Sequence, residues 1–211
     1  MTATPEARAG RKLLDVSHLP TYAFGHRDPL WWGVTLLMAI ESTMFVLVVV
    51  TYFYLRGNFA VWPPPGVVQP SLLLTGGTVL AMIAASVPLI WSFRAALNAR
   101  LRPVQLGFLL ATIFTAVAVV LRCFEFARLA QLYRWNSHAY GSVIWTLYGM
   151  HSLHLGTGLI ENALFTALLY VGPVEKKHML DARLSCAYWW FVAVIWIPLW
   201  ALIFFDNRML G

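Results

Sequence analysis

The amino-acid sequence predicts an all-α polytopic membrane protein with five transmembrane helices. Three observations carry that expectation. Sixty per cent of the 211 residues are apolar and only 11% are charged, against about half and about a quarter in a soluble domain. The mean hydropathy is +0.68. Five apolar runs, each at or above the roughly 20 residues that a spanning helix needs, follow one another with short connections. Such a composition excludes a disordered chain, a disulfide-stapled secreted domain and an ordinary cytosolic enzyme.

Residues 1–29 are polar and carry Arg8, Arg11, Lys12 and Arg27. They have no apolar stretch ahead of a small-residue cleavage site, so a cytoplasmic segment is expected in place of a cleaved signal peptide. The remainder, 30–211, reads as one five-helix membrane domain. Its first span covers about 31–55, from Trp31 to Leu55. Residues 56–70 hold four of the eleven prolines, and consecutive prolines cannot continue a helix, so a rigid extended turn is predicted. The second span, about 71–93, carries Gly77, Ala81 and Ala85 at the spacing of a close helix-packing face. The third covers about 104–124, the fourth 141–170 and the fifth 184–205. Helices are expected throughout because lipid satisfies no backbone polar group.

Charge gives the orientation. The net charge of +6 is spread over loop ends and forms no patch, which argues against a nucleic-acid partner and for a topology signal. Ten of the fifteen Lys and Arg residues fall on the side of the N-terminus, including Arg94, Arg100, Arg102, Lys176 and Lys177; five, Arg56, Arg122, Arg128, Arg134 and Arg208, fall on the other. The excess places the N-terminus in the cytoplasm and the C-terminus outside. Cys123 and Cys186 then lie near opposite ends of their spans, so no disulfide is expected. Trp31, Trp32, Trp62, Tyr188 and Trp189 stand at span ends and suit the interfacial aromatic belt.

Ionisable side chains inside spans are costly and each needs a reason. Glu41 lies near the centre of the first span. It reads either as a proton-linked or interface-fixing acid, or as a neutral acid making one interhelical hydrogen bond. Far from water and without a Lys or Arg in mid-span, it is expected to carry a proton. In the fourth span His151, His154 and Glu161 share a stripe with Tyr148 and Asn162, while Gly149, Ser152 and Gly156 form a small-residue face on the other side. The stripe reads as a hydrogen-bonded polar seam, or as a metal or haem site, for which His-x-x-His alone is a weak signal. The sequence shows no P-loop, no dinucleotide fingerprint and no Ser-His-Asp arrangement.

Five motifs in order make the chain resemble subunit III of the haem-copper cytochrome c oxidases, in a short form lacking two N-terminal helices. ESTMFVLVVVTYFYLR starts at Glu41 and is similar to the family's E-x-x-x-F with trailing aromatics. Trp62, Pro63, Pro64, Pro65 and Gly66 match W-P-P-x-G, and PSLLLTGGT from Pro70 to Thr78 follows. RCFEF retains the family glutamate as Glu125 but places Arg122 where the family has glutamine. GMHSLHL aligns His151 and His154 with G-F-H-G-x-H-V. The last helix departs: the family's Y-W-H-F-V-D-V-V-W becomes YWWFVAVIW, with Trp190 and Ala193 in place of the polar pair, while Glu161 and Asn162 add polarity where the family is apolar.

The resemblance implies an accessory, non-redox subunit of a bacterial-type terminal oxidase in the inner (plasma) membrane. Haem and copper belong to partner subunits. This chain is expected to bind no cofactor, to pack on catalytic subunit I, to hold phospholipid, and to support proton uptake and durability during turnover. The first two spans are expected to diverge from the other three, with lipid in the gap. The residue count agrees, since the two span-internal histidines share one helix and cannot hold a bis-histidine haem between two helices. A subunit-III-like component of a quinol oxidase or nitric oxide reductase, a small proton-coupled transporter and a structural scaffold are the alternatives.

Overall fold

The structure, a computed structural model, describes Gly25 and residues 28–209. The described residues form five helices: α1 Pro29–Asn58, α2 Leu72–Leu97, α3 Leu101–Leu132, α4 Ala139–Val171 and α5 Lys176–Met209. Four of them, α1, α2, α3 and α5, are long and apolar enough to cross a membrane. α4, at 33 residues, is about 50 Å long at 1.5 Å per residue, but His151, His154, Glu161 and Asn162 dilute its apolar character. The polar segment assigned to 1–29 lies outside the described residues except for Gly25, Asp28 and Pro29, as does the extreme C-terminus.

Helix ends follow local chemistry. α1 begins two residues ahead of the sequence expectation because Asp28 accepts from the Leu30 N–H at 2.7 Å and Pro29 occupies the first turn, where its missing N–H costs nothing. α3 runs eight residues past the expected end at 124. Arg122 and Glu125 satisfy one another inside it, so the helix carries both charges without ending there. α5 similarly begins at Lys176, eight residues before the expected 184.

α2 and α3 form the tightest pair, joined by a three-residue turn at 98–100 in which Ala99 has φ +49°. Gly107 permits their approach: a Cβ there would fall 1.9 Å from Ser92 Oγ and 2.7 Å from the Pro88 carbonyl oxygen. α3 also packs on α4, and α2 on α5. α1 rests on α4 and α5, with at most slight contact to α2 or α3.

This overturns the expectation that spans one and two form a separate pair. The residues between α1 and α2 cross the end of the bundle. Trp62 is wedged between Tyr52 of α1 and Tyr140 of α4, with ring centroids at 5.7 and 5.3 Å. The Trp62–Pro63 bond is cis, and Gly66 adopts φ +83°, a left-handed conformation that favours glycine. The turn is therefore anchored on α4 and carries the chain to the far side, where α2 meets α3 and α5. On the small face of α4 a Cβ at Gly149 or Gly156 would meet nothing within 4 Å, so no described helix packs there.

Candidate functional site

Three polar clusters lie along the bundle, each joining a different set of helices. The first sits toward the end that carries the α1–α2 and α3–α4 connections. On α3, Arg122 Nη1 donates to Glu125 Oε2 at 2.8 Å. The three-residue spacing places both on one helix face. Thr78 of α2 donates to the other carboxylate oxygen. On the opposite side of the guanidinium, Arg122 Nη2 lies 3.4 Å from His151 Nδ1 of α4, and His151 Nε2 lies 3.2 Å from the Val192 carbonyl of α5.

These contacts determine the tautomer. A carbonyl can only accept, so His151 Nε2 carries the proton; Nδ1 is then free to accept from Arg122. Aromatic rings complete the enclosure. The guanidinium carbon is 4.1 Å from the Trp196 ring centroid and 5.0 Å from that of Tyr148, within cation–π range. His151 stacks on Trp196 at 4.3 Å and 25°. Arg122 is 2% exposed and His151 0%. Four helices thus converge on one ion pair that is hydrogen-bonded on both sides.

The α3–α4 connection caps this end. Tyr133 accepts the Trp145 indole N–H on its carbonyl at 3.2 Å, and burial pushes its phenol pKa above the usual value. His138 accepts the Gly141 N–H as the N-cap of α4.

The second cluster is nearer mid-bundle and brings in α1. Tyr188 of α5 donates to Glu41 Oε1 at 3.1 Å, and His154 Nε2 of α4 lies 3.5 Å from the same oxygen. His154 Nδ1 is 2.7 Å from the Met150 carbonyl, so this nitrogen carries a proton, leaving Nε2 to face Glu41. Phe45 packs against His154 at 5.2 Å and His151 at 6.5 Å, bridging the two clusters. The neighbours of Glu41 are thus an imidazole and a phenol.

The third cluster lies toward the other end. Ser185 of α5 donates to Glu161 of α4. Beside it opens a cleft of about 380 Å³ between α1, α4 and α5, lined by Val34, Leu37, Glu161, Asp181 and Tyr188 among others. A second cleft of about 590 Å³, walled by apolar side chains apart from Ser42, runs between α1 and α5 past Phe45, Val49 and Leu199.

The structure does not bring the predicted His151, His154 and Glu161 stripe together as one site. His151 turns to α3 and α5, His154 to α1, and Glu161 to Ser185. Among the described residues no three His, Cys, Asp or Glu side chains gather to hold a metal. Cys186 is buried and Cys123 exposed, both as free thiols. Of the expected interfacial aromatics, Trp189 is instead buried and donates to Ser86 Oγ at 3.0 Å.

Sequence reasoning missed Arg122, Thr78, Trp196, Tyr188 and Ser185 as polar partners. A signal for the first existed, because Arg122 and Glu125 stand three apart at the end of an apolar run, the spacing of a self-neutralising pair. The others come from distant helices, and nothing local marks them.

A family profile described as cytochrome c oxidase subunit III matches residues 15–207. Among curated proteins the chain is similar to cytochrome c oxidase subunit 3 of Synechocystis, 26% identical over 184 residues, covering 85% of this chain and 77% of that protein. It is 24% identical over 191 residues to the protein of that name from Thermostichus vulcanus, covering 89% and 92%. A probable cytochrome c oxidase subunit 3 of Mycobacterium bovis is 28% identical over 183 residues, covering 83% and 87%.

Proposed function

Because the chain belongs to the cytochrome c oxidase subunit III family, we propose that it is the accessory, non-redox subunit of a bacterial haem-copper terminal oxidase. It crosses the plasma membrane five times, with the N-terminus in the cytoplasm and the C-terminus outside. It packs against catalytic subunit I, which with the other subunits carries the haem and copper. Phospholipid occupies its intramembrane clefts, and the chain sustains proton uptake and turnover without handling electrons.

The match across 15–207 is the observation that carries this reading. The side-chain chemistry supports it. His151 has both ring nitrogens engaged, and His154 commits Nδ1 to its own helix, so the polar residues tie helices together. The apolar α1–α5 cleft suits acyl chains. Within this reading Glu41, Glu125, His151, His154 and Glu161 hold the helices in register. Trp62, Pro63, Pro64 and Gly66 fix the α1–α2 connection on α4.

Purification of the tagged full chain from its native membrane in mild detergent tests the proposal. The expected preparation contains a haem-bearing partner, shows a Soret band, and consumes oxygen. The chain separated from its partners is expected to show neither haem, copper nor zinc. Stoichiometric haem on the separated chain, or a native preparation lacking any haem protein, would overturn it.

A further inference from the structure

A cleft of about 820 Å³ opens between α2 and α3, and no residue of α1, α4 or α5 lines it. Its wall changes character along the two helices. Deep in the cleft Gly77 of α2 faces Leu121 of α3, where a Cβ on the glycine would stand 3.7 Å from Leu121 Cδ1. Leu74 and Phe124 continue this apolar trough. Arg128 follows Leu121 by about 10 Å along α3, and Ser71 precedes Gly77 by about 9 Å along α2, at 1.5 Å per residue. The helices are antiparallel neighbours, so Arg128, Gln131, Ser71 and Gln69 gather at one mouth above the trough. Because the apolar run of α3 ends just before Arg128, the trough lies at acyl-chain depth and the mouth at head-group height.

The charge at the mouth is uncompensated. Arg128 is exposed and makes no ion pair among the described residues. Glu125, one turn away, has its two carboxylate oxygens taken by Arg122 and Thr78. No Asp or Glu lines the cleft. Ser71 is the N-cap of α2 but makes no side-chain capping bond, and the first turn of α2 holds no acid. The positive end of that helix therefore adds to the cation at the mouth.

We propose that the α2–α3 cleft binds a phospholipid whose head group is net negative, with the phosphate at Arg128 and one acyl chain along Gly77 and Leu121. A guanidinium offers a fork of donors that matches phosphate oxygens, and the two glutamine amides and the serine hydroxyl can donate beside it. A zwitterionic head group would bring an ammonium to a mouth that has a cation and no carboxylate. Phosphatidylglycerol is therefore favoured over phosphatidylethanolamine. The cleft beside Glu161 has the opposite sign, with Glu161 and Asp181 in its wall. The proposal rests on the reading that phospholipid occupies this chain's clefts, and adds the place and the charge of one such lipid.

The test is photolabelling of the full chain, purified with whatever partners it holds and placed in phosphatidylcholine vesicles. These contain a small fraction of phosphatidylglycerol with a diazirine near the glycerol end of one acyl chain. Mass spectrometry should place the label in 68–77 and 121–132. Unlabelled phosphatidylglycerol should displace it, whereas phosphatidylethanolamine and millimolar inorganic phosphate should not. Arg128→Gln changes an exposed side chain and should lower labelling about fivefold, the effect of one cation near a bilayer surface. Arg128→Lys keeps the charge and should retain most of the label. Gly77→Leu fills the trough and should abolish labelling, with co-purifying partners as the check on folding. Labelling indifferent to Arg128→Gln, or displaced equally by phosphatidylethanolamine, would overturn the proposal while leaving a lipid in the cleft. Displacement by inorganic phosphate would overturn it in favour of a free-anion site. No label on any peptide of this chain would sink the wider phospholipid reading with it. The label is read on this chain's own peptides, so the outcome stands whether or not a haem protein co-purifies.

Discussion

At the scale of single residues, Arg122 and Glu125 set the energetics of the bundle. A buried ion pair gives little net stability over an apolar pair of the same shape, but breaking it strands a charge. Arg122→Met leaves the Glu125 carboxylate buried beside Thr78 with its cation gone, and should destabilise the protein by about 3–5 kcal/mol. Arg122→Met combined with Glu125→Gln should recover most of that loss, and thermal unfolding of the four forms in one detergent checks the cycle. Equal losses in the single and double variants would show that the two side chains act separately. Glu41 predicts a contrast of another kind. Glu41→Gln keeps an oxygen that can accept from Tyr188, so assembly should survive. Glu41→Ala removes the polar attachment of α1 to α4 and α5 and should shorten the active lifetime of the complex while its haem spectrum stays unchanged. Successive turnover assays on the purified complex give the readout, and equal lifetimes would refute the role.

At the scale of helices, closeness of approach separates glycines that look alike in the sequence. Gly107→Ala places a Cβ against the Pro88 carbonyl oxygen at 2.7 Å. The backbone there cannot step aside as a side chain can, so overpacking should cost about 1–3 kcal/mol. Gly149→Ala meets open space and should be neutral or stabilising by about 0.5–1 kcal/mol from helix propensity. Comparing the two unfolding temperatures checks the α2–α3 packing, and a harmless Gly107→Ala would show that the pair is looser than described. The same contrast explains what was legible beforehand. Five helices and the proline turn could be read because apolar runs and consecutive prolines act locally. That α2 meets α3 and α5 could not, because the choice depends on Trp62 binding α4 and on Gly107 facing Ser92, both distant in sequence. Glu41, His151, His154 and Glu161 stood out as polar residues in apolar runs, and Glu125 through the RCFEF motif. Their partners Thr78, Tyr188, Ser185 and Trp196 have ordinary identities at ordinary positions, so only the folded arrangement reveals them.

For the whole molecule, burial of Arg122 sharpens the argument about orientation. Counted from sequence alone, Arg122 belonged to the side with five basic residues. Withdrawn into the bundle and neutralised by Glu125, it contributes no loop charge, and four residues remain: Arg56, Arg128, Arg134 and Arg208. The other side keeps ten, with Arg94, Arg100 and Arg102 around the short α2–α3 turn and Lys176 and Lys177 at the start of α5. Short loops flanking spans are where the positive-inside bias acts most strongly, so the asymmetry favours the α2–α3 turn and the α4–α5 connection in the cytoplasm. The α1–α2 and α3–α4 connections are then expected to face outward, together with the end of the bundle that holds the Arg122 cluster. A single cysteine placed in each connection tests this, with Cys123→Ser removing the exposed native thiol and Cys186 buried. Asn136→Cys, exposed in the α3–α4 connection, should react in intact cells with a membrane-impermeant maleimide. Arg100→Cys, in the α2–α3 turn, should react only after the membrane is opened. The reverse pattern would invert the topology, and equal labelling of both in intact cells would mean that α3 does not cross.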